Sequence, residues 1–270
     1  MQNCDLSYRY EYCTWNEIKN YFQENDFIII PTGSCEQHGY HLPLLTDTIV
    51  PEHMALKVAK KEQVLVLPAL PFGNSSNHEC FPGTIAIEPA TYKLFVQDIV
   101  QSLLRHGARK FLFINGHSGN TPILQQVSDY LRENGAFTCI VDWFSVVGQL
   151  DARYNLSGHA DFVEASAVLA RHPELVKLDK AQPYVKQNIS PNMVVTSWDR
   201  ISFKGITLFT WLKTGDGSST GNFGTLEGTS VENGERIFTI METFLSQLIR
   251  EMKALSLSKV PCIDALTYRS

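Results

Sequence analysis

Glu36-Gln37-His38-Gly39 and Thr46-Asp47 bring a carboxylate, an imidazole and a second carboxylate into twelve residues of chain. Carboxylates and neutral imidazoles are the ligands of borderline divalent cations. Residues two apart in an extended segment project to one face. Glu36 and His38 could therefore share one cation, or hold one each of an adjacent pair. Asp47 can return to the same point after the loop 39–46, and its two oxygens could bridge a metal pair. Taken alone, the three residues read equally well as turn and helix caps beside a polar loop histidine.

Three further residues could complete such a site. His117 sits in Asn115-Gly116-His117-Ser118-Gly119-Asn120, a strand-to-helix turn whose glycines let the backbone approach a ligand. His159 and Glu164 lie in Gly158-His159-Ala160-Asp161-Phe162-Val163-Glu164. His159 is placed as a proton shuttle, with a helix-capping histidine as the plain alternative. Glu164 falls on an apolar stretch, and a carboxylate facing a core needs a partner, for which a cation would serve. Asp161 reads as an N-terminal helix residue. His41, His78 and Ser118 are candidate substrate contacts. Trp143 could wall the pocket or simply pack in the core. Cys35 beside Glu36 lacks a nucleophile motif and reads as a packed thiol. His53, His106 and His172 read as helix-surface or helix-end residues.

The elements that must position these residues alternate. Thr14 to Glu17 reads as a capping box opening a helix to about Gln23. Strands are expected at 27–30, 64–67, 111–114 and 137–143. Helices are expected at 48–61, 90–104, 121–133, 160–171 and 231–255. Nearly all-apolar strands alternating with helices predict an α/β fold with a mostly parallel sheet covered by helices on both faces. Ligands of such sheets gather beyond the strand C-terminal ends. The segment after Pro31 and the segment 115–120 both lie there, so they can share one crevice. The stretch 183–228, rich in Gly, Ser and Thr, resists assignment and reads as a loop covering substrate.

Composition narrows the classes. At 270 residues and 44% hydrophobic, a single domain over 1–270 with a large core is expected. The net charge of −5 with scattered Lys and Arg gives no nucleic-acid footprint. No apolar run approaches the roughly 18–20 residues that span a bilayer. The N-terminus lacks the basic and apolar segments of a signal peptide. Six dispersed cysteines without a Cys-x-x-Cys pair point to reduced thiols and a cytoplasmic location.

Together the motifs resemble the creatininase (creatinine amidohydrolase) family. The segments that carry the resemblance are Gly33-Ser-x-Glu-Gln-His-Gly-x-His-Leu-Pro-Leu-x-Thr-Asp47, Phe81-Pro-Gly-Thr84, His106-Gly-Ala-Arg109, Asn115-Gly-His-x-Gly-Asn120, Gly158-His-Ala160 and Glu164-x-Ser166. They run in family order over about residues 14–250, and the first and fourth are the specific ones. The resemblance implies a three-layer α/β/α domain, a homo-oligomer of hexameric type and two divalent ions, Zn, Mn or Fe, in one crevice. By that resemblance Glu36 and His117 would hold one ion and His38 the other, with Asp47 bridging and His159 the catalytic histidine. Creatininase has a glutamate ligand two residues after the motif histidine, where this chain has Gly119. Glu164 is therefore expected to take over as ligand and catalytic carboxylate. Gly158 replaces a creatininase glutamate, whereas Trp143 matches a pocket tryptophan. The metal machinery is expected to be retained and the creatinine-specific wall lost.

The resulting expectation is a metal-dependent amidohydrolase that cleaves a non-peptide C–N bond (amide, cyclic amide or formamide) of a small molecule. Two other readings stay open: a metallopeptidase trimming a precursor peptide, and a non-catalytic metal-containing binding subunit.

Overall fold

The computed structural model describes residues 8–155, 158–197 and 199–259. Strands β1 (Phe27–Thr32), β2 (Leu65–Val66), β3 (Lys110–Asn115) and β4 (Phe137–Asp142) form a parallel sheet in the order β2-β1-β3-β4. β1 and β3 are buried from end to end. Burial on both faces is why they read as unbroken apolar runs.

Successive β1 side chains enter opposite layers, as the two-residue strand period demands. Ile29 joins Val50, Met54, Val168, Phe238 and Met241 on one face. Ile28 and Ile30 join Val96, Val100, Leu124 and Val127 on the other. The first layer belongs to helices α2 (Thr46–Glu62), α5 (Trp143–Leu150), α6 (Phe162–Leu169) and α8 (Val231–Ala254). The second belongs to α3 (Pro89–His106) and α4 (Thr121–Glu133). The fold is thus the expected three-layer α/β/α arrangement. Helix α1 (Trp15–Glu24) is capped by Thr14, whose hydroxyl accepts from Glu17 N while Glu17 accepts from Thr14 N.

The strand order reverses between β1 and β3. The chain leaves β1 toward β2 on one side, then returns through α3 to pair β3 on the other. Such a switch point opens a crevice at the strand C-terminal ends. The loops carrying Glu36 and His117 leave from it. The start of α2 is driven into the same gap, and two glycines make that possible. A Cβ at Gly33 would stand 2.5 Å from Asp47 O, and a Cβ at Gly116 would overlap the same atom.

Three expectations need correction. The apolar run 137–143 predicts a strand through Trp143, but β4 ends at Asp142 and Trp143 opens α5. Asp142 accepts from Asn115 and Thr121 there, which ties the strand end to the next loop. The strand expected at 64–67 pairs only at Leu65 and Val66. The stretch 183–228 is no bare loop. It folds into an antiparallel sheet of β5 (Met193–Ser197), β6 (Arg200–Phe203) and β7 (Ile206–Phe209), followed by the turn α7 (Thr214–Gly217). Val195, Ile201 and Leu212 form its small core with Phe223 packed against it.

Candidate metal centre

Glu36, His38, Asp47, His117, His159 and Glu164 converge in the crevice, all of them buried. Asp47 lies between two imidazoles. Its Oδ1 is 2.9 Å from His38 Nε2 and its Oδ2 is 3.2 Å from His117 Nδ1. Glu36 Oε2 is 3.2 Å from His117 Nδ1, and Glu164 Oε2 is 3.7 Å from His38 Nε2. Two ligand triads result, Glu36–Asp47–His117 and His38–Asp47–Glu164, each with its donor atoms within 4.8 Å of one another. A third grouping of the same kind is Glu36, His38 and His159.

Both imidazoles are oriented from behind. His117 Nε2–H donates to Asn74 O at 2.8 Å, and His38 Nδ1–H donates to Glu36 O at 3.1 Å. The nitrogens turned toward the carboxylates are therefore lone pairs in the neutral rings. A backbone carbonyl on one ring nitrogen is the usual way to set the other as a metal ligand. A lone pair facing two carboxylate oxygens needs a cation or a proton between them.

The electrostatics express the same demand. Among the described residues, no Lys or Arg lines this crevice. Burial opposes charge on His38, but Asp47, then Glu164 and Glu36, overcome it and raise the imidazole to about 10. Burial likewise opposes charge on His117, and Glu36 and Asp47 hold it well above the ordinary value. Glu36 is pulled well below the carboxylate range against its burial, by His117 and His78. Burial pushes Glu164 up to about 8, with His38 opposing. Glu36 Oε1 and Asp47 Oδ2 have no hydrogen-bond partner. Three buried carboxylates, two of them with an orphaned oxygen, fit divalent cations, and the all-N/O donor set suits Zn, Mn or Fe.

Position 119 leaves no room for a side chain. A Cβ at 119 would overlap Asn74 O and stand 2.5 Å from His117 Nε2, on top of the hydrogen bond that orients His117. Glu164 reaches the same region from the first turn of α6, whose N-cap Asp161 accepts from Val163 N and Glu164 N. Glu164 Oε2 also accepts from Ala160 N at 2.6 Å. Gly158 is equally enforced, since a Cβ there would overlap Phe223 O.

His159 stands over the triads. Its ring lies 4.3 Å from that of His38 and 4.4 Å from that of His78. Nε2–H donates to Gln37 O at 2.8 Å, and Nδ1 is 3.8 Å from Glu36 Oε1. Burial, then the neighbouring His38, hold its pKa well below the ordinary value, so the imidazole is neutral. Phe223 N and O pair with His159 O and N at 2.8 and 2.9 Å. The segment 183–228 therefore fixes this histidine from outside, and Ser197 at the end of β5 lines the crevice.

The other expected contacts divide. His78 and Ser118 line the crevice, with Phe144 and the backbone of Gly116. His78 Nε2 is 3.3 Å from Glu36 Oε1, and burial lowers His78 to about 4. His41 does not line it. His41 Nε2–H donates instead to Ala160 O at 3.0 Å. Ala160 has φ +50°, a left-handed geometry that costs a non-glycine residue about 1–2 kcal/mol. Its carbonyl held by His41 and its N–H held by Glu164 keep it there. Trp143 is not on the wall either. It lies 1% exposed in the core beside Val147 and Phe162, while the next residue, Phe144, turns to the cavity.

Gln37 is the functional neighbour that residue chemistry alone does not single out. Its Nε2 lies 2.8 Å from His78 Nδ1 and 3.0 Å from Gly221 O, and its Oε1 accepts from Gly39 N. With its main-chain carbonyl on His159 Nε2, this one residue sets the tautomers of two crevice histidines. Its place between the two motif ligands was the available signal.

The creatininase family model, described as creatinine amidohydrolase, matches residues 11–249. A creatinine amidohydrolase of Pseudomonas putida is 30% identical over 200 residues, 66% of this chain and 77% of that protein. A mycofactocin precursor peptide peptidase of Mycolicibacterium smegmatis is 33% identical over 57% of this chain and 61% of its own length. Among solved structures, a creatininase in its Mn form superposes with a TM-score of 0.75 at 25% identity, over 92% of this chain and 100% of that one. A mutant creatininase of Zn-Zn type gives 0.73 at 26%, over 92% and 99%.

Proposed function

The chain belongs to the creatininase family and is a metal-dependent hydrolase of carbon–nitrogen bonds other than peptide bonds, and on that premise we propose that it opens an amide, cyclic amide or formamide of a small molecule at a two-metal centre. One observation carries the reading: Asp47 turns one oxygen to His38 and the other to His117. Glu36 and His117 would hold one ion, His38 and Glu164 the other, and Asp47 both. Divalent ions held there would supply an activated water of near-neutral pKa and polarisation of the scissile carbonyl.

The remaining steps belong to the chain. With Nε2–H engaged by Gln37 O, His159 turns its Nδ1 lone pair toward Glu36 and can accept the proton of the attacking water there. The same Nδ1–H then passes the proton to the leaving nitrogen, a transfer worth roughly 10²–10⁴-fold. Glu164 keeps its carboxylate aimed at His38 through the Ala160 N–H. The cavity is small, about 100 Å³. Phe144 gives it an apolar lining and Ser118 a hydroxyl.

A second reading, removal of a terminal residue from a peptide, draws on the relatives named as mycofactocin precursor peptide peptidases. A screen of metal-loaded enzyme against formamides, cyclic amides and short peptides separates the two. Turnover of small amides that is lost in His159→Ala, with metal content intact, supports the primary reading. Turnover of peptides alone supports the second. No turnover by any metal-loaded form returns the chain to a non-catalytic binding role. The proposal places the enzyme in the cytoplasm as a homo-oligomer, on its dispersed cysteines and its family.

A further inference from the structure

His53 and His172 lie apart from the crevice, 119 residues from each other in the chain, and His53 Nε2–H donates to His172 Nε2 at 2.9 Å. His53 is on α2, and His172 is on the turn after α6. The rings meet at an interplanar angle of 57°. His172 Nδ1–H donates to Glu174 Oε1 at 2.9 Å. That bond leaves Nε2 of His172 as a lone pair aimed at His53. A carboxylate behind one imidazole nitrogen is the arrangement that sets the other for metal binding. Two nitrogens each about 2.0–2.1 Å from one ion, at the right angle of a square-planar or octahedral site, stand about 2.9 Å apart. A cation that replaced the shared proton could therefore take both nitrogens with little movement of the rings.

We propose that His53 and His172 form a peripheral site for a divalent transition cation of the Ni²⁺, Cu²⁺ or Zn²⁺ class, with water completing its coordination. The surrounding charges permit it. Arg171 pairs with Glu235 and Arg9 pairs with Glu52, which offsets part of the guanidinium charge felt at His53. Glu174 adds a negative charge beside His172. Burial, then His172 and Arg171, lower the pKa of His53 and keep it in the neutral ligand form. The His172 side chain is 34% exposed, so an ion can enter from solvent. An ion there would clip α2 to the end of α6. Those are the elements that present Asp47 and Glu164 to the catalytic centre.

The test uses full-length protein already carrying its complete zinc complement, titrated with Ni²⁺ by calorimetry. Wild type is expected to take one further equivalent per chain without releasing zinc, and its Tm to rise by several degrees at saturating nickel. His172→Ala and His53→Gln should each lose that equivalent and the Tm response while hydrolysing substrate normally. Glu174→Gln should keep the equivalent with affinity weakened about 10–100-fold. No further equivalent in wild type, nickel uptake matched by zinc release, or an undiminished equivalent in both histidine variants would each overturn the proposal.

Discussion

Glu164 Oε2 stands 3.7 Å from His38 Nε2, and the two residues meet over the side of Asp47 that Gly119 cannot serve. The family resemblance puts a glutamate ligand at position 119, and we propose that Glu164 of α6 takes its place.

That replacement predicts an asymmetry between variants. Glu164→Ala should lower bound metal from two ions per chain to one and reduce kcat/KM by at least about 10²-fold. Adding Gly119→Glu to that variant should not restore the second ion, because the new Cβ would strike Asn74 O and His117. Overpacking of that kind costs about 1–3 kcal/mol. Elemental analysis with thermal melts reads both, and a double variant that regains two ions at wild-type stability would refute the steric account.

His159 is proposed to move the proton rather than to hold an ion. His159→Ala should lower kcat by about 10²–10⁴-fold, while metal content stays at the wild-type level. A parallel fall in metal content would instead make His159 a ligand, as its grouping with Glu36 and His38 allows.

Gln37 should act through His159 and His78 rather than on substrate. Gln37→Met removes the amide that donates to His78 Nδ1 and Gly221 O. The expected result is a fall in kcat of about 10–100-fold, with KM within about twofold of wild type and both ions retained. Nitrogen NMR of the imidazoles should report a changed His78 tautomer. A kcat equal to wild type would remove Gln37 from the machinery.

Stability at acid pH should owe part of its change to Glu62, at the end of α2. Glu62 accepts two bonds from Arg250 of α8 at 2.8 and 2.9 Å, and that pairing holds its pKa below the ordinary value. A carboxylate with a depressed folded pKa stabilises the fold fully above its unfolded pKa of about 4.3. The contribution disappears as pH falls through the folded value. Arg250 is largely exposed, so screening keeps the effect small. Glu62→Gln should melt roughly 1–3 °C below wild type at pH 7, and the gap should start to close as pH falls below about 4.3 and vanish below the folded pKa. A gap that persists into acid would point to packing rather than charge.

The sequence by itself determined the sheet and most of the ligand set. Unbroken apolar runs such as Phe27 to Ile30 can only be strands buried on both faces, and the helix pattern 121–133 matches α4 to the residue. Glu36, His38 and Asp47 share one loop, so their approach is a local matter of reach. Tertiary structure decided the rest. It placed Phe144, not Trp143, on the cavity wall, because β4 ends one residue early and the helix that follows turns the indole into the core. It moved His41 behind Ala160, made Gln37 a hub, and turned 183–228 into a sheet whose neighbour Phe223 grips His159. It also made Gly119 and Gly158 steric necessities rather than mere departures from a motif. Each of these depends on atoms from segments far apart in the chain meeting within a few ångströms. Local periodicity records which way a side chain faces on its own element and carries no record of what will stand opposite it.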